Sequence, residues 1–173
     1  MAEEKIIHLG TEIRHELGCT ASLALRGYDV IYIHINVDRG MSSDIHLQRI
    51  FVKTDQGAIS VPVLTINMPP WQSISLGRRL SEIVSKLIGK PDVVIATPSS
   101  SFHIGKAIAY HFKTPIVLRV WGIRAAKLLE FIKTAGRYVE PINFGLSLAH
   151  NAFQIYTSDF IVALDDYTGS FIK

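Results

Sequence analysis

Apolar residues along this chain form two kinds of run that alternate. Short, nearly unbroken runs occupy residues 5–9 (KIIHL), 30–35 (VIYIHI), 58–66 (AISVPVLTI), 92–96, 116–120 and 160–164 (FIVAL). Their length and β-branched content predict strands. Between them lie longer stretches with helical spacing. Ile13, Leu17, Ala21 and Ala24 mark a helix that reaches Arg26 and stops at Gly27. Leu76, Leu80, Ile83, Val84, Leu87 and Ile88 form a second stripe, ended by Gly89 and Pro91. Residues 102–112 and 124–134 read as helices, the latter closed by Gly136. Ile142, Leu146, Ala149, Phe153 and Tyr156 make a last apolar stripe. Residues 36–57 carry the weakest pattern: Asp38-Arg39-Gly40 fits a turn, and 47–52 fits either a strand or a short helix. Pro62 cannot donate to a ladder, which places 58–66 at a sheet edge. Residues 67–71 read as a loop.

Strands that alternate with helices of ten or more residues point to a parallel sheet. Continuously apolar strands point to a sheet covered on both faces. The expected fold is therefore α/β: one domain with a Rossmann-like, doubly wound parallel sheet and helices on both faces. No internal repeat, low-complexity tract or linker interrupts the pattern.

Composition narrows the function classes. The chain of 173 residues is 48% hydrophobic and 19% charged, which is globular composition. Its net charge of +3 comes without a basic run carrying interleaved aromatics, so no nucleic-acid partner is expected. One cysteine, Cys19, rules out an intrachain disulfide. No apolar run approaches the ~18 residues that span a bilayer, and residues 1–5 (MAEEK) have no signal-peptide pattern. These features lead to the expectation of a cytoplasmic protein.

In an open parallel sheet, ligands bind beyond the carboxyl ends of the strands. That rule selects Gly10-Thr11-Glu12, Asn36-Val37-Asp38, the loop 97–102, the loop 121–124 and Asp165-Asp166. Gly10 opens a strand-to-helix turn whose helix amino-terminus suits phosphate; the plainer reading is a tight turn. Neither G-x-G-x-x-G nor a Walker loop is present, so no dinucleotide or Walker-type site is supported. Thr97, Ser99, Ser100 and Ser101 put hydroxyls ahead of a helix, with Ser100 or Ser101 as its N-cap. The same hydroxyls suit sugar or phosphate oxygens. His103 follows in the first helical turn, as a structural residue or as a binding or acid–base residue. Arg119, Trp121 and Arg124 gather at one strand end, where Arg pairs with phosphate and Trp offers a flat face to a sugar. Asp165-Asp166 read as a cap or solvated turn, because adjacent carboxylates diverge and no third metal ligand is visible.

Four segments resemble family-4 glycosyltransferases. Residues 10–30 (GTEIRHELGCTASLALRGYDV) resemble a GGxERHxxxLAxxLxxRGHxV-like stretch: Gly10 falls on the first glycine, Arg14-His15 on the RH and residues 26–30 on the RGHEV-like end. Residues 91–96 (PDVVIA), 114–122 (TPIVLRVWG) and 158–164 (SDFIVAL) resemble the family's PDVVHAH, IPVVxTxHG and ADxVIAxS strands, in the same order. Two positions depart: Thr11 stands for the second glycine, and Trp121 for the histidine before Gly122.

The resemblance implies a GT-B architecture, with residues 1–173 as the amino-terminal, acceptor-binding domain facing a carboxyl-terminal domain that is absent from this chain and binds most of the nucleotide-sugar. It implies transfer that retains configuration, a nucleotide-sugar donor as substrate, a glycan or lipid-linked acceptor, no cofactor and no metal. Peripheral contact with the inner face of the membrane would accompany a lipid-linked acceptor. The candidate substrate-binding residues are Gly10, Thr11, Glu12, Arg14, Thr97, Ser99, Ser100, Ser101, Arg119, Trp121, Gly122 and Arg124, with His103 as the candidate catalytic group; the chain alone is expected to be inactive. Two alternatives are half of a sugar-nucleotide epimerase and a free-standing flavodoxin-like binding module.

Overall fold

The computed structural model describes residues 4–37, 44–69, 73–120 and 141–163. In chain order these form β1 (Lys5–Gly10), α1 (Ile13–Leu25), β2 (Asp29–Val37), β3 (Asp44–Thr54), β4 (Gly57–Met68), α2 (Ser73–Leu87), β5 (Val93–Ala96), α3 (Ser100–Phe112), β6 (Ile116–Val120), α4 (Pro141–Thr157) and β7 (Phe160–Ala163). The strands make one seven-stranded sheet in the order β3-β4-β2-β1-β5-β6-β7. Every pairing is parallel except β3 with β4.

The sheet is thus mostly parallel, as expected, with one antiparallel strand at its edge. Residues 44–54 are a strand, joined to β4 by a tight Thr54–Gly57 turn in which Gly57 takes φ +142. β4 is also not the edge: β3 lies outside it. Pro62 is accommodated because it lies just ahead of the ladder between β2 and β4. The β2 ladder begins at Tyr32↔Val63, one residue past the proline, and Pro62 pairs only with Arg49 of β3. The missing N–H thus falls where no parallel partner is bonded.

Strand alternation sorts the core into two layers. Ile7, Leu9, Ile31, Ile33, Leu64 and Ile66 face α2 and α3, where they meet Leu76, Leu80, Val84, Phe102 and Ile108. Tyr32, Val61 and Val63 face the other way, against Leu17 and Ala21 of α1. Helices therefore cover both faces, as expected. α2 and α3 approach closely: a Cβ added at Gly77 would collide with the Ala107 methyl. α3 in turn lies directly on the sheet, with the Gly105 Cβ position 3.1 Å from Ala96 Cβ.

α4 differs from its sequence pattern. The predicted core stripe is largely open: Leu146, Phe153 and Tyr156 are 64%, 48% and 88% exposed. The residues turned inward are Gln154, which is buried, and Ile155, which packs on the α3-side core. Periodicity identified the helix but not the face it buries. The predicted helix 124–134 lies outside the described residues. Among the described residues, no helix is long and apolar enough to cross a membrane.

Candidate functional site

The chain moves outward from β1 to β2 and β4, then returns to place β5 on the opposite side of β1. The loops leaving β1 and β5 therefore diverge, and a crevice opens between them at the carboxyl edge. Thr97 N–H donates to the Leu9 carbonyl at 3.1 Å, so the two strands stay paired up to the crevice floor. Thr11, Glu12 and Arg14 are exposed on the β1 side, and Ser99 is exposed on the β5 side. Sequence reasoning had selected both of these loops as candidates.

It did not name what lies beneath. On the α1 face, His8 of β1, Tyr32 of β2, and Glu16 and Thr20 of α1 are all buried. Thr20 Oγ1 donates to the Glu16 carbonyl at 3.1 Å and so accepts from His8 Nδ1–H at 2.8 Å. His8 Nε2 is 3.0 Å from Glu16 Oε2, close but poorly aligned for a hydrogen bond. The same carboxylate oxygen receives the guanidinium of Arg119, from β6. Glu16 is in the first turn of α1, where the helix dipole also favours a carboxylate. One side chain therefore joins α1 to strands on both sides of the switch point.

Gly10 sits over this cluster. Its φ is not positive, and it is the last residue of β1 rather than the start of a turn. A Cβ there would stand 2.7 Å from Tyr32 Oη and 2.8 Å from Glu16 Cγ. The space its missing side chain leaves is taken up by the protein's own buried groups. Among the described residues Tyr32 Oη has no hydrogen-bond partner, and its pKa is raised by burial and then by the Glu16 charge. Next along β2, His34 Nε2–H donates to the Thr11 carbonyl at 3.3 Å, holding the loop. Burial lowers the His34 pKa, and the Thr11 bond partly offsets this.

The hydroxyl loop separates into two buried and two accessible members. Ser101 Oγ donates back to the Thr97 carbonyl at 2.8 Å and lies 2.9 Å from Thr97 Oγ1. Both residues are buried, so these hydroxyls close the loop on itself. The N-cap is Ser99 rather than Ser100 or Ser101, and it makes no side-chain cap bond. Its backbone takes φ 89, ψ −144, a conformation costing about 1–3 kcal/mol for a non-glycine residue. Two donors fix it: Phe102 N–H at 3.1 Å and Gln154 Nε2 at 3.4 Å both reach the Ser99 carbonyl. Ser100 is half-buried.

His103 faces α4. Its ring centroid is 5.0 Å from that of His150 and 5.7 Å from Phe153, with which it stacks. Gln154 Nε2–H donates to His150 Nε2 at 2.8 Å, which links this group to the strained Ser99 turn. Burial, and then the neighbouring His150, lower the His103 pKa, so the ring is neutral near pH 7. Trp121, Gly122, Arg124, Asp165 and Asp166 lie outside the described residues. Arg119 is described, and its guanidinium is committed to Glu16. Among the described residues, no cluster of three or more His, Cys, Asp or Glu is placed to hold a metal ion.

The missed residues carried a sequence signal. His8, Tyr32 and His34, together with Arg119, which the sequence had already singled out, interrupt otherwise apolar strands at positions that strand alternation turns to one face. Four such interruptions, on strands that become neighbours or near-neighbours, mark a polar seam inside the sheet.

No protein-family model matches the chain, and no curated protein matches it. Solved structures do. A protein described as a UDP-N-acetylglucosamine 2-epimerase from Listeria monocytogenes superposes with TM-score 0.53 at 9% identity, over 99% of this chain and 42% of its own. A sucrose-phosphate synthase from Thermosynechococcus elongatus superposes with TM-score 0.51 at 9% identity, over 98% of this chain and 81% of its own. The chain thus spans less than half the length of the epimerase. At such identity the likeness concerns the fold, which is the Rossmann-like fold of GT-B-type enzymes.

Two predictions follow from the geometry. Tyr32→Phe removes a buried hydroxyl that has no partner among the described residues, so urea unfolding should show it neutral or more stable than the parent; a loss above about 1 kcal/mol would contradict that reading. For His103, the unfolded ring takes up a proton near its ordinary 6.5, whereas the folded ring does so only at lower pH. Its contribution is therefore complete above that value and declines as pH falls below it. The urea midpoint of the parent should drop between about pH 7 and pH 5, and His103→Phe should flatten that drop; an unchanged slope would rule it out.

Proposed function

We propose that this chain is the acceptor-side half of a GT-B-type glycosyltransferase, which moves a sugar from a nucleotide-sugar, held mainly by a facing domain, to a glycan or lipid-linked acceptor with retention of configuration. The observation that carries the reading is one of placement. The four segments that resemble family-4 glycosyltransferases fall on α1 and the ends of its flanking strands, on β5, on β6 and on β7: the first two border the switch point between β1 and β5, and the other two continue that half of the sheet outward. The fold itself is shared with GT-B-type enzymes.

In this reading the acceptor lies in the crevice between Thr11-Glu12 and Ser99-Ser100. The Ser99 and Ser100 hydroxyls and the amino-terminal N–H groups of α3 are its hydrogen-bonding wall. α3 has no acidic residue in its first turn, whereas α1 carries Glu16 there, so α3 is the better end for an anionic or hydroxyl-rich group. His103, neutral near pH 7, has the protonation state required to accept a proton from an acceptor hydroxyl. The epimerase neighbour supports one alternative, in which the same crevice serves one half of a sugar-nucleotide epimerase.

The test is a sugar-transfer assay of the full-length gene product against a panel of nucleotide-sugars and acceptors, run beside residues 1–173 alone. Transfer by the full product and none by residues 1–173 is expected, with His103→Asn lowering kcat about 100-fold or more. Turnover by residues 1–173 alone would overturn the division of labour. Conversion of a nucleotide-sugar without any acceptor would favour the epimerase.

A further inference from the structure

A second concave surface lies away from the crevice. A cavity of about 730 Å³ is bounded by Arg78 of α2, by Lys106, Tyr110 and Lys113 along α3, and by Asp159 ahead of β7, with Ala107 and Ala109 adding apolar wall. Its size is that of a small-molecule site. It sits toward the amino edge of the sheet. Asp159 N–H donates to the Ile116 carbonyl at 3.0 Å, and Ile116 N–H donates to Asp159 Oδ2 at 2.8 Å, at the entry to β6 and β7. The crevice, by contrast, opens where β1 and β5 end.

The charges lining this cavity are unbalanced. Among the described residues, three cations face one carboxylate, and that carboxylate already accepts the Ile116 N–H. Lys106 donates to the Thr157 carbonyl, which fixes its ammonium and leaves two of its three donor hydrogens. Among the described residues, the Arg78 guanidinium and the Lys113 ammonium make no hydrogen bond or ion pair. Like charges gathered beside apolar walls repel one another unless an anion joins them. Lys113 also holds a left-handed backbone, φ 54 and ψ 52, at the C-cap of α3. Tyr110, 85% exposed, presents an uncovered ring at the rim.

We propose that this groove binds a small phosphate ester, its phosphate held by Arg78, Lys106 and Lys113 and its organic body laid on Tyr110 and the alanine wall. Arg78 supplies the planar fork that matches two phosphate oxygens, and the lysines supply point charges. The site is separate from the crevice, so it stands whether or not the chain takes part in sugar transfer.

The test is an amide NMR titration of the chain with adenosine monophosphate, with inorganic phosphate, and with phosphatidylcholine vesicles with and without phosphatidic acid. Adenosine monophosphate should shift the resonances of residues 106–114. The double variant Arg78→Gln/Lys113→Gln should weaken that binding about tenfold or more. Tyr110→Ala should weaken adenosine monophosphate but not inorganic phosphate. Arg78, Lys113 and Tyr110 are exposed, so the variants should keep the parent's unfolding midpoint and the loss is read on folded protein. Competition by phosphatidic-acid vesicles would assign the phosphate to a lipid headgroup, and its absence to a soluble ester. No shift with any probe, or shifts that survive in the double variant, would overturn the site.

Discussion

Glu16 and Arg119 are separated by 103 residues in the chain and meet inside the fold. Glu16 belongs to α1, which packs on the β2–β4 half of the sheet; Arg119 belongs to β6, on the other half. Their side chains are only 3% and 13% exposed. Withdrawing two charges from water costs several kcal/mol per ion, so the pair persists because further groups complete it. His8 approaches the same carboxylate from β1, and Thr20 orients His8. The strand at the switch point, β1, is thereby tied to α1 and, through the shared carboxylate, to β6.

The crevice depends on this clamp in a direct way. Gly10 ends β1 immediately above it, and only a residue without a side chain fits there. Thr11 is then held by His34, and Thr97 by Leu9. On the opposite wall Ser99 is held in a costly conformation by α3 and α4 together. Both walls are thus positioned by groups from distant parts of the chain. That is the condition for presenting a ligand in one geometry rather than several.

Much of the architecture was legible because apolar runs report burial directly. The parallel strands on both sides of β1 and the helices α1, α2 and α3 all have strong apolar patterns. β3 was ambiguous because its residues are mostly exposed and its pairing is antiparallel at an edge, so no continuous apolar run marks it. Pro62 misled because a strand with proline is ordinarily an edge, whereas here the proline sits just before the ladder with the parallel neighbour begins. In α4 the apolar stripe is real, but the buried position went to Gln154, whose amide is required by His150 and Ser99. Of the candidate site, the loops followed from topology alone. The polar seam did not, because His8, Glu16 and Arg119 matter only once the fold brings side chains of β1, α1 and β6 together across one face of the sheet.

The most direct test of this account is a double-mutant cycle of Glu16→Gln and Arg119→Met, read by urea unfolding of the chain. The account predicts a coupling of about 1–3 kcal/mol, with each single variant losing more than half of what the double variant loses. Losses that simply add would contradict it, since the two halves of the sheet would then be held together without this contact.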